Sequence, residues 1–313
     1  MTRITIFGAG AIGGHLAVRL AQVPGTTVSV VARGSHLAAI RANGLALLSG
    51  GERLTSHPFA TDDAAELPEQ DLVFVTLKAP AIAAMAAQLS RLSGSDGLLV
   101  FFTNGLPWWM EPVPAGSPLA TMDRNRILGG VVYSANSVER PGVIRHASHN
   151  HWVVGEPEGG TSPRSEAVGA LLTAAGFNGG VDPELRREIW HKLIYNASGN
   201  PLAALTRLDV RAMMALPPLR ALLLEIRREI ASVASSAGED FTGLAALASL
   251  DDLAEAGNVK PSMLQDVLAG RPMECDAIVD APRRIGQANG VPTPSLDVVS
   301  ALLGGLDGAL REG

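Results

Sequence analysis

The residues that most constrain this chain lie at its start. Thr2–Phe7 is a short apolar run, and Gly8-Ala9-Gly10-Ala11-Ile12-Gly13 follows it and opens an amphipathic stretch, Ala11–Gln22. This is G-x-G-x-x-G set between a strand and a helix. The first glycine permits a tight turn, the second lets backbone approach a pyrophosphate, and the third lets the helix pack on the strand. The N–H groups at the helix start then face the phosphates. A glycine-rich turn with no ligand is the competing reading. Agreement of strand, motif and helix favours a dinucleotide site built from Gly8, Ala9, Gly10, Ala11, Ile12 and Gly13.

The rest of the first third alternates in the same way. Thr27–Ala32, Asp71–Leu77 and Gly97–Phe102 have strand character, while His36–Ala42 and Pro80–Leu92 have helical periodicity. Such alternation predicts parallel βαβ units. Leu45–Ser56, with Ser49-Gly50-Gly51 at its centre, predicts a hairpin insertion. From Arg126 to Gly155 the pattern is β-rich and suggests antiparallel strands finishing the sheet. Pro163–Ala175 reads as a helix, Gly176–Val181 as a return to the sheet, and Asp182-Pro183 as a hinge. Beyond the hinge the chain reads as helical to its end. With 313 residues, two domains are expected: a Rossmann-type dinucleotide-binding domain over 1–182 and an all-helical substrate domain over 183–313, with the substrate in the cleft between them.

The second strand ends in Val31-Ala32-Arg33-Gly34. An NAD site usually places an acid here to hold the ribose 2′-hydroxyl. No acid lies between Thr26 and Ile40, and Arg33 offers a fork of donors suited to a 2′-phosphate. The expected cofactor is therefore NADP(H). An ordinary surface arginine at a strand end is the alternative.

Composition removes other classes. A net charge of −6 gives no basic footprint for nucleic acid or acidic membranes. The single cysteine, Cys275, can form no internal disulfide and fits a reducing compartment. The apolar run at the N-terminus is too short for a signal segment, and no stretch is long enough to span a bilayer. A cytoplasmic protein is expected, with a small-molecule substrate and, in the long helical domain, room for a homodimer.

The segment Glu188–Ala204 reads EIWHKLIYNASGNPLAA. Lys192, Asn196 and Asn200 fall at i, i+4 and i+8, hence on one helix face, among apolar neighbours. One amine and two amides along an apolar helix are costly unless they meet a polar ligand or each other. Pro201 is expected to end or bend the helix there. A solvated face is the bland reading, although such faces usually carry Glu and Lys rather than Asn.

These features resemble ketopantoate reductase. The resemblance runs through GAGAIGG, Ala32-Arg33-Gly34, Leu77-Lys78, Asn104-Gly105, the Lys192/Asn196/Asn200-Pro201-Leu202 run, Pro261-Ser262-Met263-Leu264-Gln265-Asp266, and Gly270-Arg271 with Glu274-Cys275-Asp276. It covers nearly the whole chain in order. It implies reduction of 2-dehydropantoate to pantoate by NADPH, with Lys192 donating the proton to the ketone oxygen. It also implies that Asn196, Asn200 and Ser262 bind the substrate, that Asn104 lies between cofactor and substrate, and that Lys78 and Glu274 contact the cofactor. Thr103, where the family usually has Gln, the Leu106-Pro107-Trp108-Trp109 segment and Arg207-Leu208-Asp209-Val210 differ from the pattern and leave the identity of the 2-oxo acid open.

Single residues keep local readings. Ser262 with Gln265 forms the S-x-x-Q pattern of a capping box. Lys78 could end a strand, Asn104-Gly105 could be a turn, and Glu274 could be a surface carboxylate beside Arg271. His146, His149 and His151 read as strand and turn residues rather than a metal site, Trp108-Trp109 as packing, and Cys275 as a small buried thiol. Two functions compete with reduction of 2-dehydropantoate: the same chemistry on another small 2-oxo acid, and a non-catalytic NADP-binding redox sensor, which would have no use for Lys192 and its amides.

Overall fold

A computed structural model of the protein describes residues 1–241 and 260–312. The chain forms two compact units, Met1–Thr103 with Pro112–Arg186, and Asn104–Glu111 with Arg187–Gly313. The pattern of strands and helices predicts a first domain unbroken to residue 182. In the structure Asn104–Glu111 groups with the helical unit instead, because Leu106 N–H donates to the carbonyl of Ala277 at 2.7 Å and Asn104 bonds to Lys192 and Glu274.

The first unit is built on one ten-stranded sheet. Its strands are β1 (Thr2–Phe7), β2 (Thr26–Val31), β3 (Leu45–Ser49), β4 (Glu52–Ser56), β5 (Phe59–Thr61), β6 (Leu72–Val75), β7 (Leu98–Phe102), β8 (Ile127–Arg140), β9 (Val143–Gly155) and β10 (Asn178–Val181). Four helices accompany them: α1 (Ala11–Leu20), α2 (Gly34–Asn43), α3 (Ala79–Ser93) and α4 (Pro163–Ala174). The spatial order is β4-β3-β9-β8-β7-β6-β1-β2-β5, with β10 beside β9. The stretch from β5 to β8 is parallel and doubly wound, and its order reverses between β1 and β6. Strands buried on both faces become continuous apolar runs, and all of Leu72-Val73-Phe74-Val75 is buried.

The Rossmann-type expectation thus holds, with an extension. β8 and β9 form a long antiparallel hairpin around Pro141-Gly142, as the β-rich pattern suggested. The β3–β4 hairpin turns at Gly50 and Gly51, both with positive φ. It is not a separate insertion, because β3 pairs in parallel with β9 and widens the sheet.

Among its described residues the second unit is helical. α5 (Leu185–Thr206) leads into it, followed by α6 (Val210–Met214), α7 (Pro217–Ser236), α8 (Ser262–Leu268), a wide π-helical turn over Asp276–Asp280, α9 (Ala281–Ala288) and α10 (Pro294–Glu312). α7 buries Leu223, Ile226, Ile230, Val233 and Ala234, an apolar stripe of helical period. Glu229 on α7 accepts from the Ser295 and Leu296 N–H groups at 2.8 and 2.9 Å, which satisfies donors at the start of α10 and places a negative charge at its positive end.

Pro201 does not end α5. It removes one backbone donor, but Leu202, Ala203 and Ala204 beyond it are buried, and packing carries the helix on to Thr206. Among the described residues no helix is long and apolar enough to cross a membrane.

Candidate active site

In the sheet unit, the glycine turn joins β1 to α1 at the point where the strand order reverses. Open α/β sheets bind ligands at the carboxyl ends of their strands at such a point. Gly8 takes a φ of +108°, and its N–H, with that of Ala9, donates to Val31 O at 3.1 Å. The turn is thereby tied to the end of β2. Thr76 Oγ1, just past β6, donates to Gly8 O at 2.7 Å. His36 Nε2 is 2.7 Å from Ala9 O and its Nδ1 accepts from Gly142 N–H at 3.1 Å, which fixes the neutral tautomer that donates from Nε2.

The glycines answer to different constraints. A Cβ on Gly13 would lie 2.3 Å from Gly8 O and 2.4 Å from Thr76 Oγ1, so the packing of the turn excludes one. A Cβ on Gly10 would meet no protein atom within 4 Å. Gly10 is also the residue preceding α1, and no side chain caps that helix. An open approach to bare backbone beside uncapped helical N–H groups fits the pyrophosphate of a dinucleotide. Ala11 and Ile12 form the first turn of α1. Arg33 is exposed immediately before α2, and Lys78 immediately precedes α3, so the ends of β1, β2 and β6 bring these residues and the glycine turn to one edge of the sheet.

The helical unit assembles the other candidates. Lys192 Nζ donates to Asn104 Oδ1 at 3.0 Å, and Asn104 Nδ2 donates to Glu274 Oε2 at 3.3 Å. Asn104 therefore bridges an ammonium and a carboxylate with the two ends of one amide. Glu274 is buried rather than a surface carboxylate beside Arg271, which pairs with Asp266 at 3.1 Å. Desolvation pushes the Lys192 pKa down to about 8, against the pull of Glu274 and Glu188. One turn along the same face, Asn196 is partly buried and makes no side-chain hydrogen bond to another described residue. A further turn on, Asn200 is buried with its Nδ2 3.5 Å from Ser262 Oγ.

Ser262 is not the helix cap that its S-x-x-Q pattern suggested. Pro261 occupies the capping position, Ser262 is the first residue of α8, and Gln265 Nε2 donates to Lys260 O. A residue already inside the helix cannot turn its hydroxyl to the third N–H, which leaves Ser262 Oγ to Asn200. The cluster can thus offer an ammonium, two amides and a hydroxyl along some two turns of α5, a donor set suited to a ketone and a carboxylate.

The remaining sequence candidates have local partners. His146 Nδ1 lies 2.8 Å from Ser49 Oγ and its Nε2 2.7 Å from His149 O. Trp109 is buried, with Trp108 edge-on to it. Desolvation, with Asp307 and Asp280 nearby, pushes the Cys275 thiol up to about 12.

Sequence reasoning passed over Thr76, His36, Glu111 and Arg284, whose roles depend on long-range contacts. It also passed over one signal open to it. The chain has 22 Arg and only three Lys, namely Lys78, Lys192 and Lys260. Where Arg is the default cation, the choice of a group able to lose a proton near neutral pH is informative.

Comparison with known proteins agrees with this architecture. The family described as Ketopantoate reductase PanE/ApbA matches residues 4–159, and its C-terminal counterpart, Ketopantoate reductase PanE/ApbA C terminal, matches residues 184–307. A 2-dehydropantoate 2-reductase of Mesorhizobium japonicum is 38% identical over 96% of each chain. A crystal structure of a Ralstonia solanacearum protein given the ketopantoate reductase name superposes with a TM-score of 0.90 at 34% identity over 99% of each chain. D-mandelate dehydrogenase, solved with NADH and anilino(oxo)acetate, shares the fold with a TM-score of 0.87 at 21% identity over 99% of each chain. From its first strand to its last helix, this chain belongs to the ketopantoate reductase family of oxidoreductases.

Proposed function

We propose that the protein reduces 2-dehydropantoate to pantoate with NADPH. The observation that carries this reading is the Lys192–Asn104–Glu274 arrangement, a lysine poised near neutral pH beside a buried carboxylate. The relative named 2-dehydropantoate 2-reductase, 38% identical over almost the full length, supports the choice of substrate. Arg33, standing where an acid would select NAD, supports the choice of cofactor.

Bound NADPH would supply a hydride to the C2 ketone. The Gly8–Gly13 turn holds the pyrophosphate by backbone N–H groups, Arg33 meets the 2′-phosphate, and Lys78 contacts the cofactor. Asn196, Asn200 and Ser262 hold the carboxylate and the polar side chain of the 2-oxo acid. Lys192 donates a hydrogen bond to the ketone oxygen and gives up its proton as negative charge develops there. Glu274 keeps Lys192 charged until that moment, and Asn104 fixes the distance between them. A pKa near 8 leaves Lys192 mostly protonated at neutral pH yet able to release its proton cheaply.

A second reading, the same reaction on a different small 2-oxo acid, is kept by Trp108 and Trp109, which depart from the family pattern in the same short segment as Asn104. One experiment separates the two: NADPH oxidation followed against 2-dehydropantoate and a panel of 2-oxo acids of increasing bulk. The primary reading requires the highest kcat/KM for 2-dehydropantoate. A higher value for an aromatic or longer 2-oxo acid would replace it by the second, and no turnover on any member would reject both.

A further inference from the structure

Asn104–Glu111 leaves the polypeptide of the sheet unit and returns to it at Pro112, yet it packs as part of the helical unit. Something must hold so short an excursion, since its first residue carries the amide that bonds Lys192. The structure supplies three rungs, all to one stretch of chain. Asn104 Nδ2 reaches Glu274 at 3.3 Å. Leu106 N–H reaches Ala277 O at 2.7 Å, and Gly105, with φ +79°, comes so close that a Cβ there would lie 2.3 Å from the same oxygen. At the far end Glu111 receives a bidentate pair from Arg284, Nε to Oε1 at 2.9 Å and Nη2 to Oε2 at 2.8 Å.

The middle rung follows from the sequence of the π-helical turn. There Ala281 N–H reaches back five residues to Asp276 O, passing over the Ala277 carbonyl four residues back. The residue five beyond Ala277 is Pro282, which has no N–H. The Ala277 carbonyl is thereby released for Leu106. The outer rung is anchored in turn. Arg284 Nη1 also donates to Asp276 Oδ1 at 2.6 Å, so one guanidinium ties Glu111 to the first residue of the turn that carries Ala277. Arg284 is half-exposed, where a lone ion pair is worth little, but a planar fork shared by two carboxylates fixes geometry as well as charge. The hydrogen bonds it donates to Glu111, then to Asp276, raise its already high pKa and keep it charged at any working pH.

We propose that Arg284, through Glu111 and Asp276, is a positioning residue that holds Asn104 in register with Lys192 and Glu274. It touches no reacting group. This assignment rests on the reading of Lys192 as proton donor, although the arrangement it concerns exists without turnover. The charged groups facing Lys192 are Glu274, at the start of the clasped stretch, and Glu188 on its own helix. If the clasp opens, Asn104 drifts and the ammonium loses an acceptor, so Lys192 gives up its proton at lower pH.

The test compares Arg284→Ala, Arg284→Lys and Glu111→Gln with wild type in full-length protein. Loss of register on the scale of an ångström predicts a kcat lower by about 10- to 100-fold in Arg284→Ala and Glu111→Gln. The alkaline limb of the kcat profile should move to lower pH, and Arg284→Lys should recover part of both effects. The double variant should be no worse than the worse single one, because both open the same clasp. The titration of the Lys192 Cε carbon by NMR, simple in a chain with three lysines, should move down with the limb. A folded Arg284→Ala protein with kcat within twofold of wild type and an unmoved Lys192 titration would overturn the proposal. So would a loss of Tm with an unchanged pH profile, which marks a structural role only. If the wild type reduces no 2-oxo acid, the functional reading fails while the Lys192 titration still decides the clasp.

Discussion

The glycine turn after β1 and the polar cluster on α5 place polar groups in apolar surroundings in opposite ways. The turn uses almost no side chains. Its contacts are backbone N–H groups, a carbonyl held by Thr76 Oγ1, and glycines that keep Cβ atoms out of the way. The α5 cluster is all side chain. An amine, three amides, a carboxylate and a hydroxyl come from four separate stretches of chain, and all but Asn196 are aimed by another. Backbone tolerates most substitutions and fails only at particular glycines. A side-chain network fails at nearly every member, because removing one group leaves a buried partner unsatisfied.

The sharpest way to break this contrast is at its most chemical residue. Lys192→Ala should cut kcat by about 10²–10⁴, the usual share of a general acid, with the Kd for NADPH close to wild type. A comparable loss of NADPH affinity would mean that Lys192 serves the cofactor instead. Next in size, Arg33→Ala should weaken NADPH binding by about ten- to hundredfold, the worth of one charge-assisted hydrogen bond, and leave NADH binding unchanged. Equal affinity of the wild type for both cofactors would remove the 2′-phosphate role from Arg33.

The smallest effects separate the glycines from one another. Gly13→Ala forces a methyl against Gly8 O and Thr76 Oγ1 and should cost about 1–3 kcal/mol of stability, seen as a lower Tm. Gly10→Ala meets no protein atom and its backbone suits an L-residue, so Tm should hold while NADPH affinity falls by about tenfold or more. If Gly10→Ala lost stability but kept affinity, the turn would be a packing motif and not a phosphate cradle.

The two regions also differ in how far they could be read from sequence. Gly8–Gly13 is local, and its meaning follows from strand, turn and helix within some fifteen residues. The i, i+4, i+8 spacing of Lys192, Asn196 and Asn200 was likewise visible. The partners of that stripe were not, because Asn104 and Glu274 lie 88 and 82 residues away and no period links them. Only the family resemblance set them beside Lys192. Helix ends depend on competing local and tertiary terms: Pro201, expected to end or bend α5, does not end it because Leu202–Ala204 are packed, and Ser262 yields the cap to Pro261. The clasp at Glu111 and Arg284 lay beyond sequence altogether, since it joins residues 173 apart through an otherwise ordinary arginine.

The most direct test of the account is the ionisation of Lys192 itself. Protein labelled with carbon-13 at lysine Cε carries three such signals, and a Lys192→Arg variant identifies the one of interest. Lys192 is expected to titrate near pH 8 rather than at the ordinary 10.5, with activity falling as pH rises through the same value because the proton-bearing form is the active one. A Lys192 that titrates near 10.5, or a rate that does not fall as its proton is lost, would contradict its role as the proton donor.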